Sequence, residues 1–232
     1  MSENKFGMDR SFLPELIRIL KAFPGNLYLK GLTMHIGSQL VDLEAMDEAI
    51  KKLLSMYHEV EVLGYPMKTL DIGGGVGIHY EQMDEQNDFA TIDSYGKIVV
   101  DNLKNFGGEV LFEPGRVLVG RSGVLLCQVE YIKETSSKSF VIVNTGMHHL
   151  MRPALYQAEH RILPLTVDNN KAQAVYDVVG PICESTDYLA KNRPMQKIKQ
   201  GDFLAICDAG AYGYAMANNY NAHPLPKEVI IP

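Results

Sequence analysis

Three short apolar runs recur about every 38 residues through the first half of the chain: "LKGLTMHIG" (29–37), "KTLDIG" (68–73) and "EVLFEPG" (109–115). The stretches between them have helical periodicity. Residues 43–60 place Leu43, Met46, Ile50, Leu53, Leu54, Tyr57 and Val60 three or four apart, and Gly64 ends the run. Residues 91–106 continue the pattern with Ile92, Tyr95, Ile98, Val99 and Leu103. An earlier helix over 11–23 has Ser11 as its N-cap, Pro14 in the first turn, and Leu16, Ile17 and Leu20 on one face. Strands joined through helices in this way lie parallel, because the chain must cross back before each new strand begins.

From Val117 onward the pattern turns to β. "VLLCQVEYI", "SFVIVNTG", "AVYDVVG" and "DFLAICDAG" are apolar or alternating runs separated by polar, Gly- and Pro-containing turns. The expected organisation is an α/β domain over 1–116 and a β-domain over 117–232. With 46% hydrophobic and 22% charged residues, the chain has material for a sizeable core. Its net charge of −6 points away from nucleic acid and anionic membrane as partners. No apolar run approaches the roughly 18 residues that span a bilayer, and the N-terminus "MSENKFGMDR" is polar, unlike a signal peptide. Cys127, Cys183 and Cys207 show no metal-ligand spacing, so a reduced, cytoplasmic setting without a metal is expected.

Polar chemistry gathers where the strands end. His35-Ile36-Gly37-Ser38 closes the first, Asp71 through Gly75 the second, and Glu113-Pro114-Gly115-Arg116 the third. In (β/α) barrels that rim carries the active site. The run Gly73-Gly74-Gly75 is no dinucleotide turn, because a GxGxxG register from Gly73 puts Ile78 at the third glycine. It also lacks the Gly-Lys-Ser/Thr ending of a P-loop. A nest of backbone N–H groups for one phosphate and a plain tight turn are the readings left. His35 is a core histidine or a ligand-facing one; Glu113 and Arg116 form a surface ion pair or face one pocket. In the second half, "GPICES" puts Cys183 and Glu184 after a strand, an accessible setting for a reactive thiol. Arg152 sits in "RPALY" and Tyr212 among the small residues of "DAGAYG", whereas Cys127 and Cys207 fall inside apolar runs and read as buried.

Taken in order, "KFGMD", "GLTMHIGSQ", "DIGGGVGI", "EPGR", "NTGMHHLMRPALY", "GPICESTD" and "DAGAYGYAMANNYN" resemble the fold-type III pyridoxal 5'-phosphate (PLP) decarboxylases, from Lys5 to Pro226. The resemblance implies a partial PLP-binding (β/α)8 TIM-type barrel followed by a β-barrel or sandwich domain of the alanine racemase/ornithine decarboxylase type. It also implies a homodimer with shared active sites and a small amino-acid substrate. By motif, His35 would stack on the cofactor ring, while Ser38, Gly73, Gly74, Gly75, Arg116 and Tyr212 would hold its phosphate. Glu113 would pair with the pyridine nitrogen and keep it protonated, making the ring an electron sink as carbon dioxide departs. Cys183, reaching into the neighbouring subunit's site, would reprotonate the carbon. Arg116, Arg152, Tyr156, Glu184 and Tyr212 would grip the substrate. A cation and an anion at the distal end suit meso-2,6-diaminopimelate, giving L-lysine, better than the simple diamino acids.

The family's cofactor-tethering lysine lies in a segment like Y-A-x-K-A on the first barrel strand, and these 232 residues contain no such segment. Lys30, in "YLKG", starts its strand and would point to the rim opposite His35. On the family pattern the chain begins about where the fifth barrel strand ends, which leaves out roughly half of the eight strands, and it stops at "EVIIP" before a further strand. Two classes of function stand. One is a decarboxylase, or part of one, for diaminopimelate or another basic amino acid. The other is an inactive relative that dimerises with an intact enzyme to bind or regulate it. These 232 residues alone, given PLP and diaminopimelate, are expected to release no carbon dioxide; steady release in a radiometric assay would overturn that expectation.

Overall fold

The first helical segment starts at Arg10 and is capped not by Ser11 but by Asp9, whose carboxylate accepts from the Ser11 N–H at 2.9 Å and from its hydroxyl at 2.6 Å. Ser11 is thus a donor inside the first turn, and the aspartate two residues before it takes the cap. The structure is a computed structural model and describes residues 5–80, 86–168 and 170–231. The chain divides into two units, Met1–Gly77 with Phe89–Pro114, and Ile78–Asp88 with Gly115–Pro232.

In the first unit, α1 (Leu13–Ala22), β1 (Gly31–Thr33), α2 (Glu44–Val62), β2 (Thr69–Asp71), α3 (Gln86–Leu103) and β3 (Glu109–Leu111) follow one another. The three strands form a parallel sheet in the order β1-β2-β3, with Leu32 beside Leu70 and Leu70 beside Val110. Helix α2 buries Met46, Ile50, Leu53, Tyr57 and Val60, the single face that spacings of three and four residues align. These side chains pack with Leu13, Ile17 and Leu20 of α1, Val99 and Leu103 of α3, and Leu70 of the central strand. Tyr57 carries its hydroxyl into this core and donates to the Met67 carbonyl at 2.5 Å, so the buried polar atom is satisfied.

The second unit holds α4 (Arg116–Val119), β4 (Leu125–Glu134), β5 (Ser139–Val143), α5 (Arg152–Tyr156), β6 (Ile162–Pro164), β7 (Gln173–Val179), β8 (Tyr188–Gln196), β9 (Phe203–Ile206) and α6 (Gly213–Met216). Its six strands lie in the order β6-β9-β4-β5-β7-β8. All pairings are antiparallel except β5 with β7. Strand β4 joins two groups: Leu125–Gln128 pairs with β9 and Val129–Glu134 with β5. Cys127, Val129, Val141, Val143, Tyr176, Val178, Leu189, Leu204 and Ile206 form the core. Burial pushes the Cys127 thiol up to about 12 and raises that of Cys207, so both are structural. Ile78–Asp88 joins this unit, which strand and helix periodicity does not anticipate; Tyr80 and Asp88 within it are bound by Arg116 and Arg121.

Two histidines in this unit, His148 and His160, are wholly buried. Burial, aided by His149 and His223, pushes His148 down to about 4, and burial pushes His160 down to about 4 as well. Both are therefore neutral when folded and take up a proton near their ordinary value of 6.5 when unfolded. With the unfolded chain binding more protons, stability is full above about pH 6.5 and declines as pH falls toward 4. Urea unfolding between pH 6.5 and 5 should show this slope, and His148→Leu should lower it by about one proton. An unchanged slope in that variant would mean that His148 titrates as it does in water.

Candidate active site

The parallel sheet places the ends of β1, β2 and β3 together, and backbone hydrogen bonds extend the alignment into the loops. Met34 N–H donates to the Asp71 carbonyl at 3.0 Å, Ile72 N–H to that of Leu111 at 3.1 Å, and Glu113 N–H to that of Gly73 at 2.8 Å. Leu40 N–H donates to the Gly75 carbonyl at 2.9 Å, tying the loop after β1 to the loop after β2. The glycine run is what permits this approach. Gly73 has φ +71° and Gly75 φ +99°, and a Cβ at Gly73, Gly74 or Gly75 would strike the carbonyl of Met34, Glu113 or Gly37 respectively.

The run also presents donors. Asp71 accepts from the Gly73 N–H at 2.9 Å, while the N–H groups of Gly74 and Gly75 donate to no backbone carbonyl among the described residues. Such a nest, with no side chain in the way, suits the oxygens of one phosphate group. Ordinary turn packing and a phosphate cradle are thus compatible. His35, Ser38 and Glu113 expose their side chains beside this backbone.

In the second unit a cationic cluster forms around Tyr80. Arg116, 9% exposed at the start of α4, donates through Nη1 to the Tyr80 hydroxyl at 2.6 Å. Its guanidinium carbon lies 5.1 Å from the Tyr212 ring centre. Arg152, 5% exposed at the start of α5, stacks its guanidinium on the other aromatic partner, 4.6 Å from the centre of the Tyr80 ring. Arg152 Nη1 also lies 2.8 Å from His160 Nε2, and His160 Nδ1 lies 2.9 Å from the Cys207 carbonyl. Burial pushes the Arg152 guanidinium down from its usual range, although Tyr80 works against that shift. Tyr212 has left-handed backbone, φ 63° and ψ 7°, and an added Cβ on Gly115 would stand 3.1 Å from its hydroxyl.

Four residues before Tyr212, Asp208 sits at the centre of an ion-pair network. This residue is 2% exposed and accepts from Arg161 Nε and Nη2, both at 3.1 Å, and from Arg121 Nη1 at 3.3 Å. Arg121 also donates to Asp88. Two cations on one buried carboxylate satisfy its lone pairs and offset its desolvation.

Among the residues singled out in the sequence, the structure thus groups His35, Gly73, Gly74, Gly75 and Glu113 in the first unit, with Ser38 one residue from Gly37. It groups Arg116, Arg152 and Tyr212 in the second, while Tyr156 ends α5 with its side chain exposed. Cys183 and Glu184 are exposed, and no hydrogen bond among the described residues joins either to that cluster; the Glu184 carboxylate accepts from Ser185 Oγ at 3.2 Å. Tyr80 and His160 were missed by sequence reasoning. Tyr80 lies two residues beyond the stretch "DIGGGVGI", but nothing in its spacing marks it as a platform for two arginines.

A family model for the pyridoxal-dependent decarboxylases, C-terminal sheet domain, matches residues 38–210. Diaminopimelate decarboxylases from Aquifex aeolicus and Haemophilus influenzae are 39% and 37% identical over 232 residues, which is 100% of this chain and 54% of each relative. The chain therefore spans about half the length of the relatives it matches. A diaminopimelate decarboxylase from Helicobacter pylori, solved in complex with L-lysine, superposes with a TM-score of 0.83 at 35% identity, over 97% of this chain and 55% of that one. A lysine/ornithine decarboxylase from Vibrio vulnificus, solved with cadaverine, gives 0.84 at 25% identity, over 96% and 60%. No described helix is long and apolar enough to cross a membrane, and no described group of three or more ligating side chains could hold a metal ion.

The packing role of the glycines is open to measurement. Gly74→Ala forces its methyl group against the Glu113 carbonyl and should destabilise the first unit by about 1–3 kcal/mol in urea unfolding. A change near zero would mean that the strand ends yield easily.

Proposed function

The chain belongs to the pyridoxal-dependent decarboxylase family, and on that premise we propose that its residues serve the decarboxylation of meso-2,6-diaminopimelate to L-lysine and carbon dioxide. One observation carries the substrate: Arg152 is buried, and its close partners, the His160 ring nitrogen and the Tyr80 ring, are neutral. A buried cation without a counter-charge is costly, and a carboxylate brought by a ligand offsets that cost. Diaminopimelate has such a group at its distal end, whereas lysine and ornithine end in an ammonium alone.

The glycine cradle and its two N–H donors fit the phosphate of PLP, which bound here supplies an electron sink for the bond to the departing carboxylate. In this reading Ser38, Gly73, Gly74, Gly75, Arg116 and Tyr212 bind the phosphate. His35 packs on the ring, and the Glu113 carboxylate holds a proton on the ring nitrogen. Cys183 Sγ delivers a proton to the substrate carbon, which its exposure permits. Arg116, Arg152, Tyr156, Glu184 and Tyr212 orient the substrate, with Glu184 facing its distal ammonium. The parallel β1–β3 layer and its helices are read as part of a (β/α)8 barrel. We further read the working form as a homodimer with Cys183 serving the partner's site, and its setting as the cytoplasm, where unpaired cysteines such as these persist.

The test uses the protein as its gene encodes it, supplied with PLP and offered meso-diaminopimelate, L-lysine and L-ornithine in turn. Diaminopimelate should be the preferred substrate, and Arg152→Lys should lower its kcat/KM by about a hundredfold while changing the others little. Faster turnover of ornithine than of diaminopimelate would remove Arg152 from this role.

A further inference from the structure

His160 stands between two groups that leave it a single protonation state. The Cys207 carbonyl, 2.9 Å from Nδ1, can only accept a hydrogen bond, so the ring proton sits on Nδ1. The Arg152 guanidinium, 2.8 Å from Nε2, can only donate, so Nε2 must offer its lone pair. The two requirements agree, and together they exclude both the other neutral tautomer and the imidazolium. The Cys207 N–H donates to the Arg161 carbonyl at 2.8 Å, so the backbone on both sides of this contact is locked. The ring is wholly buried and meets Tyr80 edge-on, with centroids 5.2 Å apart.

A carboxylate in the place of His160 would hold the guanidinium at least as firmly, but it would also neutralise it. A neutral acceptor orients the arginine and leaves its charge unspent. We propose that His160, as its Nδ1–H tautomer, is a positioning residue that fixes the Arg152 guanidinium without neutralising it, and so sets selectivity for ligands with a distal carboxylate. The inference rests on the reading of Arg152 as the carboxylate anchor. It adds that the selectivity depends on a second residue whose lack of charge is the working property.

The experiment compares near-isosteric variants of the protein as its gene encodes it, freed of cofactor, so that binding is read without turnover. Calorimetry gives the ratio of dissociation constants for cadaverine and L-lysine, two ligands that differ by the distal carboxylate, which L-lysine keeps when the other carboxylate of diaminopimelate departs. The unaltered protein should favour L-lysine by about tenfold or more. His160→Gln, which keeps a neutral acceptor, should retain that preference within about threefold, and His160→Glu should reduce it to about twofold or less. A merely structural role would move Gln and Glu alike, and equal preferences in the two would overturn the proposal. Should His160→Glu fail to fold, His160→Asn replaces it: the short amide keeps the Cys207 bond but cannot reach Arg152, and should lose most of the preference. Long-range proton–nitrogen NMR gives an independent reading, in which a proton found on Nε2 of His160 overturns the assignment. If Arg152→Met leaves the preference intact, the anchor reading itself fails; if Arg152→Met abolishes it while His160→Glu does not, only the role of His160 fails.

Discussion

A guanidinium withdrawn from water keeps its charge and its five donors, and the surrounding protein has to accommodate both. In the second unit that accommodation organises much of the local structure. Arg152 rests on the face of Tyr80 and donates to His160, which in turn donates to the carbonyl that follows β9. The start of α5, the turn holding Tyr80 and the end of β9 are thereby joined through one chain of contacts. Arg116 shares the same tyrosine through its hydroxyl, so one aromatic ring serves two cations. The arrangement also explains why Ile78–Asp88 is grouped with the second unit, although its neighbours in sequence belong to the first.

The first unit solves a different problem. Its strand ends converge closely enough that backbone meets backbone, and any side chain at 73, 74 or 75 would push the loops apart. In the same run the N–H groups of Gly74 and Gly75 are left without a backbone acceptor among the described residues. Packing and the proposed phosphate binding thus place the same demand on these three positions.

The parts of the fold visible in the sequence are those where one burial face dominates. Helix α2 is the clearest case, since Met46, Ile50, Leu53, Tyr57 and Val60 occupy the positions that its periodicity marks. Helix α3 begins at Gln86, before the apolar run at Ile92 that signals it, because its first turn is anchored by Asp88 rather than by apolar contacts. Strand β8 was not legible: "YLAKNRPMQ" holds Lys, Asn, Arg and Pro, and Asn192 has φ +51°. What sustains it is tertiary, as the Asp177 carboxylate of the neighbouring β7 accepts from the Asn192 N–H at 2.7 Å. At the site, motifs identified Arg116, Arg152 and Tyr212, which carry recognisable chemistry. The neutral partners Tyr80 and His160 were invisible, because a residue chosen for having no charge leaves no charge pattern.

Tyr212 shows how far local comfort and usefulness can diverge. Left-handed backbone is uncommon for a tyrosine, at a cost of order 1 kcal/mol or more, and glycine would occupy the position without it. Any search for a more stable sequence would therefore tend to erase the phenol at 212. On the role proposed for Tyr212, a stabilised variant chosen by folding alone would lose a ligand contact. In this region, thermal robustness is a poor guide to which substitutions the protein can accept and still work.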